Sequence, residues 1–203
     1  QWVFTKKGIA TSNIWEAGGL IRSSSKAKYP DIQYHFGPVG FEYNENKISL
    51  LQAFAIHVDQ LRPRSRGEVT LKSADPLEKP LMTFNYLQDP DDLAEMLSGV
   101  KKARELISQR AFDDYRGEEL MPGPEVQSDD DLINFIRDVA ETDYHPSCSC
   151  AMGHGKMAVV DERMKVHGVN NLITPETSPE SYNLSILKRF DDTLQVLRPV
   201  FGR

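Results

Sequence analysis

The chain has 203 residues, of which 39% are hydrophobic and 27% are charged, and its formal net charge is −6. This length suffices for one hydrophobic core or two small domains. A mildly acidic chain without a basic face is not expected to bind nucleic acid, and no apolar run is long enough for a transmembrane segment.

The first half of the chain predicts β-strands. Residues 31–39 alternate apolar side chains with polar ones, Gln33 and His35, which is the period of a half-buried strand. Three further strand candidates are Leu50–Leu61, Glu68–Lys72 and Leu81–Leu87. The basic turn 62–66, between the first two of these, is interpreted as a solvated loop. Strands separated by turns, with no helix between them, indicate an antiparallel sheet.

Two amphipathic helices are predicted after the strands. Asp89 and Pro90 are typical of a helix start, and the apolar face behind them comprises Leu93, Met96, Leu97, Val100 and Ile107. Ser128 and Asp131 resemble a capping box before a second stripe of Leu132, Phe135, Ile136 and Val139. Strands followed by helices predict an α+β fold.

The motif that indicates a chemistry lies between Tyr144 and Leu172. It reads YHPSCSCAMG, then MAVVD, then VHGV. Three upstream segments match the same pattern in the same order: RSRGEVTLKSADP, NYL at 85–87, and YRGEELMPGPEVQSD. Together these blocks resemble the C-terminal part of the glucose-methanol-choline oxidoreductases, FAD enzymes that oxidise alcohols, and in particular their choline-oxidising branch.

The resemblance implies a domain organisation, a cofactor and partners. Residues 1–142 would form the substrate-binding domain, an antiparallel sheet with helices, and residues 143–172 would return to the FAD domain. Residues 173–203 would be a divergent tail, with one amphipathic helix carrying Ile186, Leu187, Phe190, Leu194 and Leu197. The implied partners are a choline-like alcohol and an N-terminal half of the enzyme that carries the FAD domain.

His145 is the catalytic residue that the resemblance implies. Alcohol oxidation needs a base for the hydroxyl proton, and an imidazole suits this role because its unperturbed pKa lies near neutral pH. The same resemblance places His145 and Pro146 against the flavin. The alternative is a histidine that only caps the turn beside Pro146.

Three residues are implied to bind substrate: His35, Trp15 and Glu16. His35 lies in a strand similar to the family block whose histidine contacts the alcohol, although it could be an ordinary polar residue on a strand. Trp15 could hold a quaternary ammonium by cation–π attraction, or it could serve core packing. Glu16 would add a carboxylate near the cation. No metal site is predicted, since two thiols alone make a poor zinc site.

The family pattern also breaks in two places. No glycine fingerprint of a dinucleotide-binding fold is present, and the match stops after Leu172, where residues 173–183 differ from the family ending. Because the chain begins at Gln1 in mid-pattern, we expect a fragment, a frameshifted product or a split subunit that is inactive alone. The alternative is a non-catalytic binding or assembly module. Cys148 and Cys150 are interpreted as thiols of a reducing compartment, in the cytoplasm or peripheral to an inner membrane.

Overall fold

The structure is a computed structural model that describes residues 2–7, 11–44, 47–142, 150–174, 194–196 and 200–202. The helices are α1 (Trp2–Thr5), α2 (Pro90–Ile107) and α3 (Asp129–Val139). The strands are β1 (Ala17–Ile21), β2 (Ile32–Gly37), β3 (Gly40–Asn44), β4 (Lys47–Leu51), β5 (Ala53–Gln60), β6 (Glu68–Thr70), β7 (Leu81–Thr83), β8 (Glu119–Met121), β9 (Glu141–Thr142), β10 (Leu194–Val196) and β11 (Val200–Gly202).

The chain divides into two compact units. The first comprises Gln1–Gln60, Leu93–Glu141 and Gln195–Arg203, and the second comprises Leu61–Asp92 and Thr142–Leu194. Antiparallel strand pairs together with two longer helices confirm the predicted α+β fold.

A seven-stranded sheet organises the first unit. Its strand order is β1-β2-β5-β10-β9, with β11 also beside β5, and β8 beside β11. The β2–β5 pair at its centre joins the two strands with the clearest apolar patterns, and all eight residues of β5 are buried. Both predicted strands are therefore confirmed.

Helix α2 packs on the face of the sheet that carries Ile32, Tyr34 and Val58. Its predicted apolar face is buried except for Leu97, which is half-buried. The Asp89 side chain accepts the Asp91 amide at 2.9 Å, as expected of an N-cap residue. The buried residues on this face of the helix are Leu93, Met96, Val100, Ala103 and Ile107. Close approach needs a glycine, because a Cβ at Gly99 would lie 2.7 Å from Val58 Cγ1.

Helix α3 begins as the sequence predicts. The Ser128 hydroxyl accepts a hydrogen bond from the Asp131 amide at 3.1 Å and donates one to the Asp131 carboxylate at 2.6 Å. Leu132 and Ile136 on its apolar stripe are buried. The capping box is therefore confirmed.

The described antiparallel strands are divided among three sheets. Among the strands that the structure describes, β6 and β7 pair with each other alone, in the second unit, and β3 pairs with β4 in a separate two-stranded sheet. Strand β1 was not predicted. Leu194, which the sequence placed in an amphipathic helix, lies in a strand, because apolar residues two apart also suit one face of a strand. The other residues of that predicted helix lie outside the described ranges.

Candidate functional site

The first unit presents a polar strip on one face of its central strands. In the β2–β5 register Gln33 lies opposite Asp59, and His35 lies opposite His57. Directly opposed residues of an antiparallel pair point to the same face. Four polar side chains therefore share the face of the sheet that is turned away from α2.

Trp15 lies over this strip. Its ring centroid is 4.5 Å from that of His57 in an edge-on arrangement and 5.8 Å from that of His35. The indole fits because β2 ends in a glycine: a Cβ at Gly37 would lie 3.2 Å from the Trp15 ring. Trp15 remains 39% exposed, so part of its aromatic surface is accessible to a ligand.

The His35 ring contacts the buried carboxylate of Asp59. Its Nε2 lies 3.0 Å from Asp59 Oδ2 and 2.6 Å from the side-chain amide of Gln33. Asp59 is fully buried, whereas the His35 side chain is 29% exposed. The imidazole thus connects an internal carboxyl group with the accessible surface beside Trp15.

Glu16 lies at the edge of the same face. Its amide donates to the Phe36 carbonyl at 3.0 Å, which extends the β1–β2 pairing by one residue. Strand alternation puts its side chain on the side of Gly18 and His35. The side chain is exposed and makes no hydrogen bond or ion pair with any residue that the structure describes.

The opposite face of the sheet carries an apolar cleft of about 530 Å³. Tyr34, Phe36, Ile56, Leu106 and Phe112 line it. Burial raises the pKa of the Tyr34 phenol well above its usual range, with a further contribution from the negative charge of Glu105, and the hydroxyl donates to the Gly99 carbonyl at 2.7 Å. The charged residues of the lining are Arg22 and Lys102, so this cleft disfavours a cationic ligand.

In the second unit, residues 150–174 fold into turns closed by short β-bridges. Val160 is fully buried and bridges both Met152 and Val166. The Asp161 carboxylate accepts the amides of Lys165 and Arg163, each at 2.9 Å, and the Lys165 amide is the largest cause of its lowered pKa. This part of the motif therefore has an evident role in building the loop.

The histidines of this segment differ in their surroundings. His167 Nε2 lies 2.8 Å from the Gly153 carbonyl, and His154 is exposed with its Nε2 3.5 Å from Glu162. The predicted catalytic and flavin-contacting residues, His145 and Pro146, and also Cys148, lie outside the residues that the structure describes.

Sequence reasoning identified Trp15 and His35 as candidates but missed His57 and Asp59. The structure brings His57 and Asp59 to the same face as His35. The sequence did contain a pattern that could have identified them: His57 and Asp59 alternate with Ile56 and Val58 in the strand predicted for 50–61. Polar residues that alternate with apolar ones belong to a second, functional or solvated face.

Comparison with known proteins assigns the family. A family model described as GMC oxidoreductase matches residues 63–178, more than half of the chain. The chain belongs to the GMC oxidoreductase family. An oxygen-dependent choline dehydrogenase from Pseudomonas syringae pv. tomato is 48% identical over 178 residues, which is 88% of this chain and 31% of that protein. The chain thus spans about a third of the length of the curated GMC relatives it matches, and corresponds to a choline-dehydrogenase-like C-terminal region.

Solved structures of GMC proteins share the fold. Pyridoxine 4-oxidase from Mesorbium loti superposes with a TM-score of 0.64 at 22% identity, over 77% of this chain and 31% of that one. An FAD-dependent oxidoreductase from Chaetomium thermophilum matches with a TM-score of 0.56 at 26% identity, over 70% of this chain and 22% of that one.

The described residues do not fit the adenine and pyrophosphate parts of FAD. They contain no parallel strand–helix–strand unit with a glycine-rich turn, which is the arrangement that holds a dinucleotide. Within the same residues, no three His, Cys, Asp or Glu side chains are arranged to hold a metal ion. None of the described helices combines the length and apolar character needed to cross a bilayer.

Proposed function

We propose that this chain supplies the alcohol-binding surface of a flavoprotein that oxidises choline or a similar alcohol. The observation that carries the proposal is the partly exposed Trp15 ring beside His35 and His57, above the buried Asp59. An aromatic face attracts a quaternary ammonium. Imidazole nitrogens next to it can hydrogen-bond a hydroxyl.

The 48% identity to a protein named oxygen-dependent choline dehydrogenase supports choline as the substrate. Charge supports the polar strip over the apolar cleft as its binding surface, because the strip has the acidic residues Asp59 and Glu16 whereas the basic residues Arg22 and Lys102 line the cleft. His145 is assigned the role of the base that takes the hydroxyl proton, and His145 and Pro146 are assigned contacts to the flavin. The flavin, held by another part of such an enzyme, supplies the hydride acceptor.

Choline binding by the chain tests the substrate assignment. Isothermal titration calorimetry is expected to show that choline binds roughly 2- to 30-fold tighter than neutral 3,3-dimethylbutan-1-ol, the range that a cation–π contact gives. Trp15→Ala should remove this preference. Tyr29→Ala is the matched control, since Tyr29 is 38% exposed, about as much as Trp15, and should leave the preference intact. Equal affinity for the two alcohols in the unsubstituted chain contradicts the proposal.

Complementation tests catalysis. The chain alone is expected to be colourless and inactive, and co-expression with the remaining part of the Pseudomonas syringae relative should restore choline oxidation. His145→Ala should lose most of the restored turnover, while His154→Ala, at an exposed histidine of the same motif, should not. A yellow chain with a flavin absorbance band overturns the statement that it cannot hold FAD alone. Choline binding without restorable turnover favours a non-catalytic module.

A further inference from the structure

The contact between Asp59 and His35 indicates a role for Asp59 other than binding the substrate directly. Asp59 is a fully buried carboxylate whose Oδ2 lies 3.0 Å from His35 Nε2. Burying a carboxylate costs free energy unless it is hydrogen-bonded or paired. The histidine that it meets reaches the accessible face beside Trp15.

The partners of Nε2 determine which ring nitrogen carries hydrogen. The 3.0 Å contact between Asp59 Oδ2 and His35 Nε2 is not aligned as a hydrogen bond. A carboxylate at this distance nevertheless repels a lone pair on the nitrogen and so favours a hydrogen there. The Gln33 amide is 2.6 Å from the same nitrogen. Exchanging the nitrogen and oxygen of this amide leaves its shape unchanged and lets Gln33 accept a hydrogen bond from Nε2–H. Both neighbours then favour hydrogen on Nε2.

A hydrogen fixed on Nε2 makes Nδ1 the accepting nitrogen of the neutral ring. The other groups that face this imidazole are His57, opposite it in the sheet, the Trp15 ring, and Glu16 by strand alternation. Asp59 is fully buried, and its Oδ2 lies 3.0 Å from His35 Nε2. Its charge therefore acts on His35 with little screening by solvent.

We propose that Asp59 is a positioning residue that holds His35 in its Nε2–H form, so that Nδ1 can accept a hydrogen bond from the hydroxyl of a bound alcohol. The role of the alcohol rests on the proposed function. The fixed tautomer does not, and can be measured in the chain without substrate.

Nitrogen-15 NMR of the histidine rings tests the proposal, with the His35 signals assigned from their loss in His35→Gln. Neutral His35 is expected to be in the Nε2–H form. Asp59→Asn keeps the volume but offers an amide that can also donate, so a measurable Nδ1–H fraction should appear. Asp59→Leu removes the acceptor altogether and should increase that fraction further. Choline affinity should fall roughly tenfold in either variant, as expected for one misplaced hydrogen bond.

Asp31→Asn is the matched control. Asp31 is also buried in the first unit, where it accepts from the Ser23 amide at 2.6 Å and the Ser23 hydroxyl at 2.7 Å, and its substitution should leave the His35 tautomer unchanged. An Nδ1–H ring in the unsubstituted chain, or an unchanged tautomer in both Asp59 variants, overturns the proposal. A tautomer that shifts as expected in a chain that does not bind choline contradicts the proposed function alone.

Discussion

Replacing Arg104 with alanine is expected to lower the free energy of unfolding by about 3–5 kcal/mol, the cost of breaking a largely buried ion pair from one side. Arg104 Nε and Nη2 donate to the two oxygens of Glu119 at 2.9 and 2.7 Å. Nη1 also donates to the Val126 carbonyl at 2.8 Å, and Nη2 lies 3.3 Å from the Gly123 carbonyl. One guanidinium thus attaches the Pro- and Gly-rich connection 116–127 to α2.

Urea denaturation followed by circular dichroism measures this effect. Lys101→Ala is the control, since Lys101 lies one turn earlier on α2 and pairs with Asp129 at a site where both side chains are about half exposed. Such a surface pair contributes about 0–1 kcal/mol. Arg104→Lys should fall between the two, because an ammonium keeps the charge but cannot donate in a fork to both oxygens. A loss of stability no greater than that of Lys101→Ala would contradict the assigned role.

Strand β1 shows why part of the fold could not be read from the sequence. Two adjacent glycines, Gly18 and Gly19, lower strand propensity and interrupted the apolar pattern there. The reason for Gly18 is tertiary: a Cβ at this position would lie 2.7 Å from the Tyr34 carbonyl oxygen on β2. A contact between residues sixteen positions apart in the chain leaves no periodic signal.

The candidate site was predictable in part. The alternation around His35 placed it on the polar face of a strand, and the resemblance added Trp15. Pairing His35 with Asp59 required the register of β2 against β5, which puts Gln33 opposite Asp59. A shift of one residue would have sent the buried carboxylate to the opposite face. Register is fixed by packing of the whole sheet, so composition and local pattern could not supply it.

The basic turn 62–66 corrects another interpretation. The sequence suggested a solvated loop, and the Arg64 and Arg66 side chains are indeed exposed. Its backbone, however, is bound by Asp92, whose Oδ1 accepts the Arg64 amide at 2.7 Å. Oδ2 of Asp92 accepts the Ser65 amide at 2.8 Å and the Ser65 hydroxyl at 2.6 Å. A charged, exposed segment can therefore have a fixed path.

Asp92→Ala should consequently destabilise the chain by about 3 kcal/mol, because three donors lose their acceptor. Two of these donors are backbone amides, which must then hydrogen-bond to water or remain unsatisfied. Asp91→Ala is a close control. Both aspartates lie in the first turn of α2 and interact similarly with its dipole, but Asp91 is exposed and its Oδ2 is 3.6 Å from Arg64 Nη1.

Asp91 and Asp92 lie on different faces of α2. Asp92 precedes Met96 by four residues and falls on the stripe that α2 buries, whereas Asp91 is turned about 100° away. A carboxylate on a buried stripe needs donors, and the turn 62–66 provides them. Urea denaturation should separate the variants, with Asp91→Ala within about 0.5 kcal/mol of the parent. Equal losses for both would mean that the helix dipole, rather than binding of the turn, accounts for the stabilisation by Asp92.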